Sequence, residues 1–293
     1  MLKVLVTGTS SGIGLATAVG LSRAGHEVYA TVRNPEKGSQ LREIAVAEKL
    51  PISIFPMDVD SDASTAAALV DIGRRAGFIE ALVNNAGVEW IGSVEELPFE
   101  VFRQVMETNY FGALRCIRAL LPEMRKNRRG CIINVTSVAG RMALSPMAPY
   151  VASKFALEAL SESLAQEVKP FNIRVAIVEP GIIDTPMARR IEEPRGESLY
   201  PQSRRVAGMF AASLTAPTSP SVVAEKIREI LESSTWRLRH PVGPDAEPFL
   251  RWRAAMTDEE FVNWGALDDE AWYQRVQQEF GLDARGKGHA AGT

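Results

Sequence analysis

The chain has 293 residues, 46% hydrophobic and 24% charged, with a formal net charge of -3. This is the composition of an ordinary globular protein with enough chain for a sizeable core, as one large α/β domain or two small ones. It carries no basic footprint that would mark a nucleic-acid partner, and no apolar run approaches the ~18 residues of a membrane span.

The first element is KVLVT, a β-branched strand so close to the N-terminus that no signal peptide is expected ahead of it. Cys116 and Cys131 form no disulfide framework, which fits a reduced, cytoplasmic setting. The three histidines are scattered without ligand spacing, so no metal site is expected. After the first strand comes TGTSSGIG, Thr7–Gly14, and then an apolar helical pattern. Glycines between a strand and a helix let backbone N–H groups approach phosphate oxygens, and the helix N-terminus adds favourable partial charge. Gly8, Gly12 and Gly14 have the spacing G-x-x-x-G-x-G, with no Lys-Ser/Thr behind it, so a P-loop is a poor fit. Such glycines also serve ordinary turns that need positive φ.

Further strands are expected at EVYATV, ISIFPM, ALVNNA, CIINVT and RVAIVEP. Amphipathic stretches separate them at Ile13–Arg23, Pro35–Lys49, Ala63–Arg75, Phe99–Lys126 and Tyr150–Val168. Alternation of this kind gives βαβ units, and near-continuous apolar strands belong to a parallel sheet covered on both faces. The expected fold class is therefore α/β, a three-layer doubly wound parallel sheet.

Ser137 follows CIINVT at a strand's carboxyl end, where ligands of such sheets bind, and its hydroxyl can hold a substrate oxygen or merely cap a turn. Tyr150 and Lys154 are four apart in a helical pattern and share one face. An ammonium beside a phenol favours the phenolate, so the tyrosine is expected to titrate below its usual ~10 and to exchange protons nearer neutral pH. Asn109 reads as a lone polar residue in the apolar stretch VMETNYFGALRCI, where it can distort the helix or satisfy a neighbouring backbone group.

From Asp184 to Pro220 periodicity fades and Pro, Arg and Ser accumulate, as in a lid or substrate loop. A helix follows at about Ser221–Glu232, and WRLRHPV reads as a last strand. Past Gly243 come shorter helices: TDEEF is a capping box with Thr257 at the cap and Glu260 three residues on, and DDEAW opens another helix with acids in its first turn. The end, GKGHAAGT, is expected to fray. The organisation is then residues 1–243 as a nucleotide-binding domain with a lid at about 184–220, and residues 244–293 as a C-terminal helical extension of it.

Taken together, TGTSSGIG, Asp58-Val59, NNAG at Asn84–Gly87, Asn109, Ser137 in NVTSVAG, Tyr150 and Lys154 in YVASK, and PGIIDT at Pro180–Thr185 resemble the short-chain dehydrogenase/reductase superfamily. The resemblance runs from Lys3 to about Val242 and implies a Rossmann fold and NAD(P)-dependent hydride transfer between a carbonyl and an alcohol. It makes Tyr150 the general acid/base, Lys154 its tuner and a ligand of the nicotinamide ribose, Ser137 the residue that orients substrate, and Asn109 the support of a proton relay. It assigns cofactor contacts to Gly8, Ser10, Ser11, Gly12, Ile13, Gly14, Arg33, Asp58, Val59, Asn85, Ala86, Gly87, Pro180, Gly181, Ile183 and Thr185, with Tyr150 and Lys154. Val32 stands where the family's NAD enzymes carry Asp, and Arg33 is next, which points to NADP(H), with NAD(H) as the alternative.

The opening AGHEVYATVRNPEK and the long tail resemble the 17β-hydroxysteroid and retinol dehydrogenase branch, which implies a small-molecule carbonyl or alcohol on an apolar body. Glu89, Trp90, Met142, Met147, Met187 and Met209 are candidate pocket residues. Arginines 189, 190, 195, 204 and 205 of the lid either attract an anionic substrate or are plain solvated charge. Competing readings are a 3-oxoacyl-thioester reductase of the same superfamily and a non-catalytic NADP(H)-binding regulator. In the family, helices matching Phe99–Lys126 and Tyr150–Val168 form subunit contacts, so a homodimer or homotetramer is expected.

Overall fold

A computed structural model of the chain describes residues 1–191 and 198–285. The elements alternate as β1 (Lys3–Val6), α1 (Gly12–Arg23), β2 (Glu27–Val32), α2 (Ser39–Ala47), β3 (Ile52–Pro56), α3 (Asp62–Ala76) and β4 (Ala81–Asn84). They continue with α4 (Phe99–Met106), α5 (Gly112–Asn127), β5 (Gly130–Val135), α6 (Ala148–Val168), β6 (Ile173–Pro180), α7 (Pro186–Ile191), α8 (Gln202–Ser213), α9 (Pro220–Glu232) and β7 (Arg239–Val242). Three short helices close the chain: α10 (Ala246–Ala254), α11 (Asp258–Gly265) and α12 (Asp269–Phe280). All strands pair in parallel, in the order β3-β2-β1-β4-β5-β6-β7. The order reverses between β1 and β4, which opens a crevice at their carboxyl ends.

Successive strand residues point to opposite faces, and each face has its own core. Val4, Val6, Val28, Val83 and Ile133 pack under α1 and α9 through Ala18, Leu21, Val223 and Ile227. Leu5, Tyr29, Leu82, Ile132 and Val175 pack on the other side with Ile72, Cys116, Ile117 and Leu164. This is the three-layer doubly wound sheet expected from the alternation. Cys116 and Cys131 are buried free thiols whose pKa values burial pushes up, to about 12 and about 11.

Two expectations differ from the structure. The stretch Phe99–Lys126 is not one α-helix: a π-turn at Glu107–Phe111 separates α4 from α5. Buried Asn109 lies in that turn and spends its side chain on a neighbouring strand-end loop, so the polar residue and the irregular turn occur together. The segment 184–220 is not all loop either, since it contains α7 and α8. Their apolar residues pack on the tail, a partner that local periodicity does not reveal. Residues 192–197, with Arg195, and the tail end 286–293 lie outside the described residues.

The C-terminal helices form an aromatic core of their own. Trp252 meets the rings of Trp264 at 4.8 Å and Phe280 at 5.1 Å, edge to face, and Phe249 meets Phe280 at 4.8 Å. The same cluster takes in Ala188 of α7, Met209 of α8, Val138, Met142 and Ile182. Thr257 and Glu260 form the capping box expected of α11, and Asp268 caps α12. Among the described residues no helix is long and apolar enough to cross a membrane. Truncating the buried ring at the centre of this cluster, Trp264→Ala, is expected to cost about 3–5 kcal/mol. A chemical denaturation midpoint would record the loss, against Val262→Ala on the exposed face of the same helix, which should stay within about 0.5 kcal/mol of the parent.

Candidate active site

A cavity of about 860 Å³ runs along the carboxyl ends of the strands. One end is the glycine turn. Gly8 and Gly12 have φ of +70° and +56°, which favour glycine. A Cβ on Gly8 would lie 2.7 Å from the Ala86 Cα, and one on Gly14 would lie 2.2 Å from the Gly8 carbonyl oxygen. The turn is clamped from β4: Asn85 Nδ2 donates to the carbonyls of Thr7 and Gly8, and Thr7 Oγ1 accepts from the N–H groups of Asn85 and Ala86. Ser11, the N-cap of α1, makes no side-chain cap bond and lines the cavity with Ser10 and Ile13. The first turn of α1 is thus set as an anion cradle.

Arg33, Asn34, Lys37 and Ser39 line the cavity beyond the end of β2. Asp58 and Val59 line it beyond β3, and Asn85, Ala86 and Gly87 beyond β4. Pro180, Gly181, Ile183 and Thr185 line it beyond β6. The last segment is held from the tail, because Asp245 Oδ2 accepts from the Ile182 N–H at 2.8 Å. A Cβ on Gly181 would lie 2.1 Å from Asp245 Oδ1.

Ser137, Tyr150 and Lys154 converge at the middle of the cavity. The Ser137 hydroxyl lies near the Tyr150 phenol and favours its ionised form; it donates to the Pro180 carbonyl at 3.4 Å and accepts from the Ala139 N–H. Lys154 Nζ sits 5.6 Å from the centre of the Tyr150 ring and donates to the Val135 carbonyl at 3.0 Å. The expected lowering of the tyrosine does not occur in the protein alone. Burial pushes Tyr150 up to about 12, with the neighbouring Ser137 hydroxyl opposing it and Glu89 adding to it. Burial also brings Lys154 down to about 8, against the pull of Glu158. At 5.6 Å from the ring, the ammonium does not outweigh the cost of a phenolate in a dry site.

Every cofactor and catalytic residue named from the sequence lines this cavity except Asn109. Asn109 lies behind the wall: its Oδ1 accepts from the Val88 N–H, and its Nδ2 donates to the Val88 carbonyl and to Ser153 Oγ. Ser153 in turn donates to the Tyr150 carbonyl. A Cβ on Gly87 would lie 3.2 Å from Asn109 Oδ1. Lys37, Asp245 and Phe249 were given no role from the sequence, and Thr7 only a place at the start of the glycine motif. Lys37 was within reach, four residues past Arg33, whereas the tail carries no motif to single out Asp245 or Phe249.

The far end of the cavity is apolar. Met142, Leu144, Met147, Met187, Met209, Phe210 and Phe249 line it, while Trp90 does not. An ion pair crosses it, Arg190 Nε to the buried Glu89 at 3.4 Å. Among the described residues the lid arginines do not form an unpaired basic patch: Arg189 pairs with Asp184, and Arg204 and Arg205 pair with Asp269.

A family model described as short chain dehydrogenase matches residues 2–196. The chain belongs to this family. It is an oxidoreductase, and its relatives include retinol dehydrogenase 8 of Bos taurus, 35% identical over 266 residues, covering 86% of this chain and 84% of that one. Among solved structures, a short-chain dehydrogenase from Streptomyces avermitilis is 33% identical with a TM-score of 0.77, over 90% of this chain and 96% of its own. An actinorhodin polyketide ketoreductase with NADPH is 27% identical with a TM-score of 0.74, over 84% of this chain and 97% of its own.

Under this short-chain dehydrogenase site lies fully buried Glu179, next in sequence to Pro180. Burial, and after it nearby Glu158, raises its carboxyl from 4.5 to about 7 against the pull of Arg141 and Arg239. The folded protein thus holds a proton that the unfolded chain releases, so this stability is full below about 4.5 and is lost as pH rises through about 7. Melting temperature should therefore decline across that window, and Glu179→Gln should flatten the decline; an unchanged slope by calorimetry would refute the assignment.

Proposed function

We propose that this short-chain dehydrogenase is an NADP(H)-dependent reductase of a ketone or aldehyde on an apolar body, of the retinoid or steroid kind, and works as the reverse dehydrogenase at high pH. The observation that carries the reading is the convergence of Ser137, Tyr150 and Lys154 between a glycine cradle and an apolar chamber. The cradle fits a dinucleotide: Cβ atoms would fill it at Gly8 and Gly14, and the uncapped start of α1 faces it. Gly8, Ser10, Ser11, Gly12, Ile13 and Gly14 would hold the pyrophosphate, and the segments at Asp58-Val59 and Asn85–Gly87 the adenosine side. Pro180, Gly181, Ile183 and Thr185 would hold the nicotinamide side. The bound nicotinamide supplies or accepts the hydride.

The protein's own part is proton and position. Ser137 holds the carbonyl oxygen, and the Tyr150 phenol, protonated at neutral pH, delivers the proton to it. Lys154 keeps a positive charge beside the phenol and so stabilises the phenolate that remains. Asn109 acts at one remove, fixing Val88 and, through Ser153, the backbone of Tyr150. The phosphate of NADP is favoured by Arg33 and Lys37 together, where the end of β2 offers Val32 and no carboxylate. The apolar chamber and its four methionines suit an apolar substrate of variable shape, in keeping with retinol dehydrogenase 8 among the relatives. Phe99, Phe111 and Phe155, exposed on α4, the π-turn and α6, support association into a homodimer or homotetramer.

NADPH oxidation against a panel of ketones, steroids, retinals and acyl thioesters tests the reading. Tyr150→Phe is expected to lose about 10²–10⁴-fold in turnover with NADPH binding retained; equal turnover would sink the proton role. Preference for the acyl thioesters would favour a 3-oxoacyl-thioester reductase, and NADPH binding without any turnover a regulator. For reduction, kcat/KM should fall as pH rises through about 8, where Lys154 loses its charge. Arg33→Ala should weaken NADPH binding about tenfold or more and leave NADH binding nearly unchanged, since one charge-assisted contact to phosphate is lost.

A further inference from the structure

Behind the Tyr150–Lys154 face of α6 lies a set of buried charges that the proposed chemistry leaves unused. Glu158 follows Lys154 by one helical turn on the same buried face and is 5% exposed. Thr136 Oγ1 donates to its Oε1 at 2.7 Å, and Arg239 Nε donates to its Oε2 at 3.1 Å. Consecutive residues at the end of β5 therefore hold the two groups: the Val135 carbonyl takes the Lys154 ammonium, and the Thr136 hydroxyl takes the Glu158 carboxylate. Gly140 leaves the space, because a Cβ there would lie 2.9 Å from Glu158 Cγ and 3.2 Å from the Lys154 carbonyl oxygen.

The other charges around Glu158 come from three elements. Glu179 of β6 meets Arg141 at 3.5 Å and Arg239 of β7 at 4.0 Å. Arg239 also reaches Glu162, one turn further along α6, at 3.1 Å. Two carboxylates in one dry site do not both ionise readily. Glu158 has the shorter donors, from Thr136 and Arg239, so the ionised form is better supported there than on Glu179.

We infer that Glu158 is a positioning residue of this active site, whose carboxylate keeps the Lys154 side chain charged and set against the Val135 carbonyl, in register with Tyr150. The inference rests on the roles proposed above for Tyr150 and Lys154. Burial alone works against a charged Lys154, and Glu158 is the counter-charge that opposes it. Glu158 touches neither the cavity nor any reacting atom, so its effect passes through Lys154.

Glu158→Gln keeps the shape and the Thr136 bond and removes the charge. In protein labelled with ¹⁵N-lysine, the Lys154 Nζ resonance, assigned with Lys154→Arg, reports its ionisation directly. Glu158→Gln is expected to move that midpoint down by about one pH unit or more. The alkaline limb of kcat/KM for ketone reduction should move down with it. Glu158→Asp should restore part of both shifts, and Glu162→Gln, which also faces Arg239, should cause neither. A static Lys154 midpoint in Glu158→Gln would overturn the inference, as would a loss of turnover with the alkaline limb unmoved. If circular dichroism shows that Glu158→Gln does not fold, Thr136→Val removes the donor that keeps Glu158 ionised and should give a smaller shift of the same sign. A midpoint that moves in a protein that reduces no carbonyl would support the Glu158–Lys154 coupling and fail the proposed function. A static midpoint in an active reductase would do the reverse.

Discussion

The near contact of two backbones, at Gly8 and Ala86, governs the rest of this structure. Where the strand order reverses between β1 and β4, the two carboxyl ends must part to make a crevice, yet they must stay joined to keep its shape. Glycine at position 8 removes the Cβ that would collide with the Ala86 Cα. Thr7 and Asn85 then bind each other's strand-end backbone with four hydrogen bonds. The start of α1, the floor at Asn85–Gly87 and the wall at Asn109 all take their positions from that clamp. It needs polar side chains on the strand ends and small residues between them, which is why the sequence there is so restricted in type.

The sheet was legible because its strands read as unbroken apolar runs, and because helices and strands alternate in lengths that suit only a parallel arrangement. Short-range rules could put Ser137 at a strand end and Tyr150 and Lys154 one helical turn apart, but the roles expected of them came from the family resemblance of the motifs together. What escaped had causes outside the local window. The π-turn at Glu107–Phe111 has no propensity signature, and Asn109 could be read as a distortion or as a backbone partner but not as both. Helices α7 and α8 gain their partners from residues some sixty to eighty positions later, as with Ala284, whose carbonyl leaves no room for a side chain on Gly208. The sign of the tyrosine shift escaped too, since spacing gives the lysine's direction but not how dry the site is.

The dry site explains a second regularity. Behind the cavity, Glu158, Glu179, Arg141 and Arg239 pair with one another at short range. The middle of the cavity holds the Tyr150 phenol, the Ser137 hydroxyl and the Lys154 ammonium, and its far end is apolar apart from the Glu89–Arg190 pair. Burial keeps the Tyr150 phenol protonated at neutral pH and makes its phenolate costly.

The aromatic core of the tail has a consequence for how such a protein acquires a new specificity. Phe249, Met209 and Met142 belong at once to the cavity wall and to the cluster around Trp264. Asp245 anchors that cluster to the backbone beside Gly181. Chamber, lid helices and tail therefore form one packed module. A chimera that exchanged the last fifty residues alone would set foreign rings against a native lid, so a new pocket must be transplanted as two distant pieces of sequence that fit each other.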